Sequence, residues 1–148
     1  MKLKIEHFRN LTAGELYALL QLRTAVFAVE QQCIYQELDG KDRQAIHVWL
    51  EDDRGIAGCL RILPAGLQGD TVAIGRVVTR DRGCGLGRQV MLAGMNAAVE
   101  QLHADVIRLE AQLYARVFYE KLGFVQISDP FDEDGIPHIL MEWKSIKG

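Results

Sequence analysis

The sequence predicts an α+β fold, a sheet with helices on its faces. Strand-like and helix-like stretches follow one another in the order β-α-β-β-β-α-β-α-β-β. Residues 71–110 run strand, glycine-rich turn, helix and strand, which makes a right-handed crossover. At 148 residues, 49% apolar and 25% charged, the chain can bury a core as a single domain over 1–148.

Each element has a local cause. Leu3 and Ile5 alternate with Lys2, Lys4 and Glu6, the period of a half-buried strand. Thr12-Ala13-Gly14-Glu15 is a capping box. It opens a helix reaching about Val29, with Leu16, Leu19, Leu20 and Phe27 near one stripe. A polar segment, 30–44, follows. Residues 47–51 and 56–63 read as a hairpin around Asp52-Asp53-Arg54-Gly55. After a loop at 64–70, residues 71–79 form a strand rich in β-branched side chains. Residues 86–102 form a helix whose Ala93, Gly94 and Ala97 allow close approach to a sheet. A short buried strand at 106–110 and a helix at 113–122, stopped by Gly123, come next. Strands at 124–127 and 138–143 close the chain, joined by an acidic loop at 128–137.

The densest chemical signal is Arg76-Val77-Val78-Thr79-Arg80-Asp81-Arg82-Gly83-Cys84-Gly85-Leu86-Gly87-Arg88. A glycine turn between strand and helix leaves backbone N–H groups unpaired at a helix N-terminus, where phosphate-type anions bind. Arg82 and Arg88 add charge-assisted hydrogen bonds to such a target. The P-loop pattern is absent, and the dinucleotide fingerprint would need glycine where Arg88 stands. The residues alone leave open a glycine-rich turn with no ligand.

Composition narrows the function. A net charge of −3 without a basic block argues against a nucleic-acid surface. No apolar run approaches the roughly 18 residues of a membrane span, and the N-terminus lacks the apolar stretch of a signal peptide. Cys33, Cys59 and Cys84 are odd in number and lack metal-ligand spacing. Reduced thiols, no metal and a cytoplasmic location are expected.

Arg82-Gly83-Cys84-Gly85-Leu86-Gly87 fits the pattern [RQ]-x-x-G-x-[GA]. It resembles the acyl-CoA pyrophosphate loop of the general N-acetyltransferase (GNAT) superfamily, and the order of elements is similar over nearly the whole chain. The stretch from Ala111 to Phe124 resembles the later helix of that superfamily. Gln112 stands where asparagine is commoner, Ala115 keeps its place, and the segment ends Phe118-Tyr119-Glu120-Lys121-Leu122-Gly123-Phe124. Two further segments resemble the ElaA-like branch: Arg23 to Gly40, with Val26-Phe27, Glu30-Gln31 and Glu37-Leu38-Asp39, and Asp134-Gly135-Ile136-Pro137-His138 running into Met141.

The resemblance implies an acyl-CoA N-acyltransferase (GNAT) fold, a mixed central sheet splayed between strands 71–79 and 106–110 with helices on both faces. It implies acetyl-CoA as co-substrate and direct attack by a primary amine, small-molecule or peptide, in a ternary complex. Backbone groups of Val77, Val78 and Thr79 would pair with pantetheine, and the N–H near Val78 would meet the developing oxyanion. Arg82, Gly83, Cys84, Gly85, Leu86, Gly87 and Arg88 would hold the pyrophosphate, with Gln112 also on the cofactor side. Tyr119 would protonate the departing thiolate; its alternative is a packed tyrosine at a helix end. A non-catalytic acyl-CoA sensor is the competing function. Monomer and homodimer both remain open.

The general base is not marked, because strand 71–78 has no carboxylate. Glu37, Asp39, His47 and His138 are the candidates, with Glu37 and His138 foremost, and a base-free route through ordered water is also open. Glu30, Tyr35, Glu37 and Asp39 from one segment and Glu133, Asp134 and His138 from another would frame the acceptor. Their carboxylates, with Asp129 and Asp132, suit an ammonium group or else form a solvated turn. Arg76 could orient a substrate carboxylate, order the neighbouring loop, or pair within the sheet. Cys84 reads as a small filler in the loop, and Cys33 as a buried small residue.

Overall fold

The computed structural model describes residues 1–30 and 37–146. Strand β1 (Lys2–His7) leads through a short 3-10 turn to helix α1 (Ala13–Thr24). Thr12 caps α1 with both arms of the capping box, its hydroxyl accepting from Glu15 N and Glu15 accepting from Thr12 N. A π-helical turn, Ala25–Glu30, extends it. The 3-10 turn Lys41–Gln44 precedes the antiparallel strands β2 (Ile46–Asp52), β3 (Gly55–Leu63) and β4 (Val72–Thr79). Helix α2 (Leu86–Leu102) crosses over to β5 (Val106–Gln112), which lies parallel to β4. A 3-10 turn, Leu113–Ala115, and the short helix α3 (Arg116–Glu120) lead to β6 (Val125–Gln126), β7 (Phe131–Glu133) and β8 (Ile136–Lys144). The eight-stranded sheet runs β1-β2-β3-β4-β5-β8-β6, with β7 on β8. Among the described residues only β4–β5 is parallel, so the sheet is mixed as expected.

Period-2 alternation divides the sheet between two cores. Val48, Leu50, Leu60, Ile62 and Ile74 face α2, where Val90, Met91 and Ala98 complete the larger core. Trp49 and Cys59 face the other way and meet Leu19 and Val26. Gly94 brings α2 against the sheet: a Cβ there would lie 2.7 Å from Leu60 Cδ2.

Two irregularities shape the site. Cys59 pairs with Val78 and Arg61 with Gly75, so Leu60 opposes both Arg76 and Val77 in a β-bulge on β4. Arg76 takes the left-handed backbone conformation there, with φ 52°. The bulge inverts the strand's phase: Val77 joins Ile74 on the α2 core, while Val78 packs among Leu19, Trp49 and Cys59. Beyond it, β4 and β5 separate. They pair only at Val72↔Ile107 and Ala73↔Arg108, whereas β5 stays paired with β8 from Val106↔Lys144 to Gln112↔His138.

Two expectations change. The helix expected over 113–122 is a 3-10 turn followed by the five residues of α3, although Gly123 still ends it at φ 98°. The loop expected over 128–137 contains β7 and its hairpin with β8, closed by Asp134 (φ 54°) and Gly135 (φ 80°). Positive φ at both central residues is the geometry of an Asp-Gly two-residue hairpin turn.

Candidate active site

The glycine turn is built as an anion cradle. Gly83 and Gly85 have φ of 78° and 76°, which glycine adopts without steric cost. Gly85 is the N-cap of α2 and has no side chain to answer the first N–H groups, which leaves them for a ligand. A Cβ at Gly85 would meet nothing within 4 Å, so the cradle is open, whereas one at Gly87 would lie 3.2 Å from Phe118 Cζ. Gly87 therefore also serves packing. Arg82, Cys84 and Arg88 are exposed, and the Cys84 thiol donates to Arg82 O at 3.5 Å.

Where β4 and β5 part, a cavity of about 380 Å³ opens. Ile74 to Val77 line one wall and Leu109 to Gln112 the other. Tyr119 borders it, its ring edge-on to Phe118 at 4.9 Å and to Phe124 at 6.1 Å between centroids. Among the described residues its hydroxyl has no hydrogen-bond partner. Burial, and secondarily Tyr114, pushes its pKa well above the ordinary value and keeps it protonated at neutral pH.

The opposite rim is a charge cluster drawn from α1, β3, β4 and residues 37–42. Arg23, 2% exposed, donates to Glu37 at 2.8 and 3.0 Å and to Asp42 at 2.8 and 3.2 Å. Arg61, equally buried, donates to both oxygens of Asp39 at 2.9 and 2.7 Å and to Asp42 at 3.1 Å. Arg76 Nε donates to Glu37 at 2.8 Å, and its Nη2 reaches Glu37 O at 3.2 Å. Burial opposes ionisation of Asp39 and Asp42, but their guanidinium partners win and hold both carboxyls below the usual range. Both oxygens of Glu37 and of Asp39 thus face guanidinium donors. His47 is buried beneath the cluster, 3.0 Å from Asp42 O, and burial pulls its pKa down.

A second titratable group converges on the cavity from the β5–β8 side. His138 stands opposite Gln112 in the register. Its Nδ1 lies 2.8 Å from Ile136 O and its ring stacks on Phe131 at 6.1 Å. A carbonyl only accepts, so Nδ1 carries a proton and Nε2 is turned to Glu133, 3.8 Å away. Glu110 points into the same space. Desolvation first, then the carboxylate of Glu133, pushes its pKa above the ordinary value, against the pull of His138 and Lys41.

The fold therefore brings Val77, Gln112, Tyr119, Glu133, Asp134 and His138 onto one cavity, with Asp39 at its rim. Glu37 stands behind Arg76, and the glycine turn lies outside the cavity. The side chain of Glu30, and Cys33 and Tyr35, lie outside the described residues. Buried Cys59 has its thiol pushed up to about 12 by burial. Glu110 is a cavity residue that no motif in the sequence marks. Its signal was the alternation of β5, where buried Ile107, Leu109 and Ala111 leave Arg108, Glu110 and Gln112 on the polar face. Among the described residues no cluster of His, Cys, Asp and Glu could hold a metal ion, and no helix is long and apolar enough to cross a membrane.

Comparison with known proteins is consistent with this geometry. A family model for an acetyltransferase (GNAT) domain matches residues 14–145. Protein ElaA of Escherichia coli K12 is 38% identical over 141 residues, 91% of each chain. The crystal structure of E. coli ElaA superposes with TM-score 0.90 at 34% identity, over 97% of this chain and 99% of that one. An acyl-CoA N-acyltransferase from Pseudomonas aeruginosa superposes with TM-score 0.89 at 40% identity and the same coverage.

Proposed function

The chain belongs to the GNAT acetyltransferase family, and from that premise we propose that residues 1–148, as one domain, move an acetyl group from acetyl-CoA to a primary amine by direct attack in a ternary complex. The observation that carries the reading is the parting of β4 from β5 after Ala73↔Arg108, with Tyr119 and Glu110 on the same cavity. The chain's residues fit acyl-CoA: an open cradle at Gly85 heads a 17-residue helix beside a strand that pairs with β5 only as far as Ala73.

In this reading residues 82–88 hold the pyrophosphate through the N-terminus of α2. The backbone of Val77, Val78 and Thr79 takes pantetheine as an added strand. The N–H near Val78 donates to the oxygen that gains charge as the amine attacks. Tyr119 gives its proton to the leaving thiolate. Glu110, Glu133 and Asp134 attract the ammonium form of the acceptor. Glu110, whose raised pKa makes it a better proton acceptor than an ordinary carboxylate, takes the amine's proton, with His138 Nε2 beyond it as outlet. Glu37 is reassigned from base to support. A cytoplasmic setting and a small-molecule or peptide amine complete the proposal.

The test is thiol release from acetyl-CoA with a panel of small primary amines, lysyl peptides and free peptide N-termini. Release above the hydrolytic background with at least one class is expected. Tight acetyl-CoA binding with no release from any of them would leave the non-catalytic sensor instead.

A further inference from the structure

Arg76 carries a cost that most of the chain avoids. An L-residue with a Cβ resists φ near +52°, yet an arginine stands there and glycine, which would accept it freely, stands one position earlier at Gly75. Its side chain explains the choice. Arg76 Nε is 2.8 Å from Glu37 Oε2, Nη2 is 3.2 Å from Glu37 O, and Nη2 is 3.5 Å from Asp39 Oδ2. The Glu37 carboxylate is itself fixed, because Arg23 donates to both its oxygens from the buried face of α1. The clamp sits on the residue where the phase of β4 inverts. With an uninterrupted strand Val77 would share a face with Gly75 and leave the α2 core; with the bulge it stands on the side of Ile74.

We propose that Glu37 is a positioning residue: by gripping Arg76 it holds the β4 bulge in the phase that aims the backbone of residues 77–79 at the acyl group. The proposal rests on reading 77–79 as the cofactor strand. It assigns the acidic residue of the 37–39 segment a part in catalysis without contact with the acceptor. It also ties the acceptor-side segment to the cofactor-side strand through the Arg76 guanidinium, which reaches both Glu37 and Asp39.

Glycine separates this role from that of a base. Arg76→Ala keeps the Cβ and loses the clamp, so the bulge relaxes. Arg76→Gly loses the clamp but accepts the left-handed conformation, and should keep kcat/KM for acetyl-CoA roughly fivefold or more above Arg76→Ala. Glu37→Gln should lower kcat/KM in the parent, yet change it less than about twofold in the Arg76→Gly background. Amide 1H–15N shifts of Val77 and Val78 should move in Glu37→Gln and Arg76→Ala and stay near parental in Arg76→Gly. They read the bulge even if no amine in the panel is a substrate, an outcome that would sink the acyltransferase reading alone. Equal losses for Arg76→Ala and Arg76→Gly, unmoved shifts in Glu37→Gln, or a full Glu37→Gln loss in the Arg76→Gly background would each overturn the proposal. If Glu37→Gln does not fold, the alanine–glycine comparison decides by itself.

Discussion

The proposed cofactor side and the proposed acceptor side of the β4–β5 splay are made of different chemistry. On the proposed cofactor side the groups on offer are main-chain N–H groups, and the turn is made by glycines, Gly83 and Gly85 at φ 78° and 76°. On the acceptor side the groups are side chains gathered from distant segments. Arg23 reaches Glu37 and Asp42 from 14 and 19 residues away, and Arg76 reaches Glu37 from 39. A backbone cradle is written contiguously and tolerates many neighbours. A charge cluster exists only once the fold has closed, and each member depends on the others.

That contrast orders the expected effects. Arg23→Met on the acceptor side should be the most damaging, because it leaves Glu37 and Asp42 short of a guanidinium in a buried place. Breaking such a pair costs about 3–5 kcal/mol, read as a fall in the urea midpoint. A change below about 1 kcal/mol would mean the cluster contributes no more than a surface pair. Tyr119→Phe keeps the aromatic contacts with Phe118 and Phe124 and removes only the proton. It should lower kcat by about 10²-fold with acetyl-CoA affinity unchanged. Unaltered turnover where chemistry limits the rate would take Tyr119 out of the mechanism.

Gly85→Val probes the cofactor side. Its Cβ meets no neighbour, but valine resists φ 76°, so acetyl-CoA should bind roughly tenfold more weakly by calorimetry while the fold survives. Parental affinity in a folded variant would move the pyrophosphate away from this turn. The smallest effects concern pH. Asp39 and Asp42 have lowered pKa values, so their stabilisation is full above the ordinary 3.8 and fades as pH falls below it. Glu110 has a raised value, so its contribution has the opposite sign: present below 4.5 and lost as pH rises through its folded pKa. Glu110→Gln should therefore flatten the loss of stability above pH 4.5 and remove the acidic limb of kcat/KM for the amine. An unchanged limb would pass the proton-accepting role to His138.

Much of the fold was legible because its causes are local. The Thr12 capping box, the bounds Leu86–Leu102 of α2 and the β2–β3 hairpin follow from caps, periodicity and turn residues within a few positions of one another. The β7–β8 hairpin was legible in principle, since Asp134-Gly135 is a hairpin dipeptide, but the acidic run around it reads as a loop. Glu110 hides for a related reason: the apolar run that marks its strand ends at Glu110, two residues before the strand itself ends at Gln112.

Short-range chemistry thus decided the elements, their order and the glycine cradle, all of which depend on φ preferences and hydrogen bonds between near neighbours. Long-range packing decided three things that no window of sequence contains. It set the inversion of β4 at Arg76, which is a strained conformation held by Glu37 across the sheet. It made Glu37 and Asp39 partners of buried arginines instead of free acids facing an acceptor. It raised Glu110 by partly desolvating it at the cavity wall and placing the Glu133 carboxylate beside it. The physical reason is common to all three: the energy of a charge is set by what surrounds it, and its surroundings are assembled only by the tertiary structure.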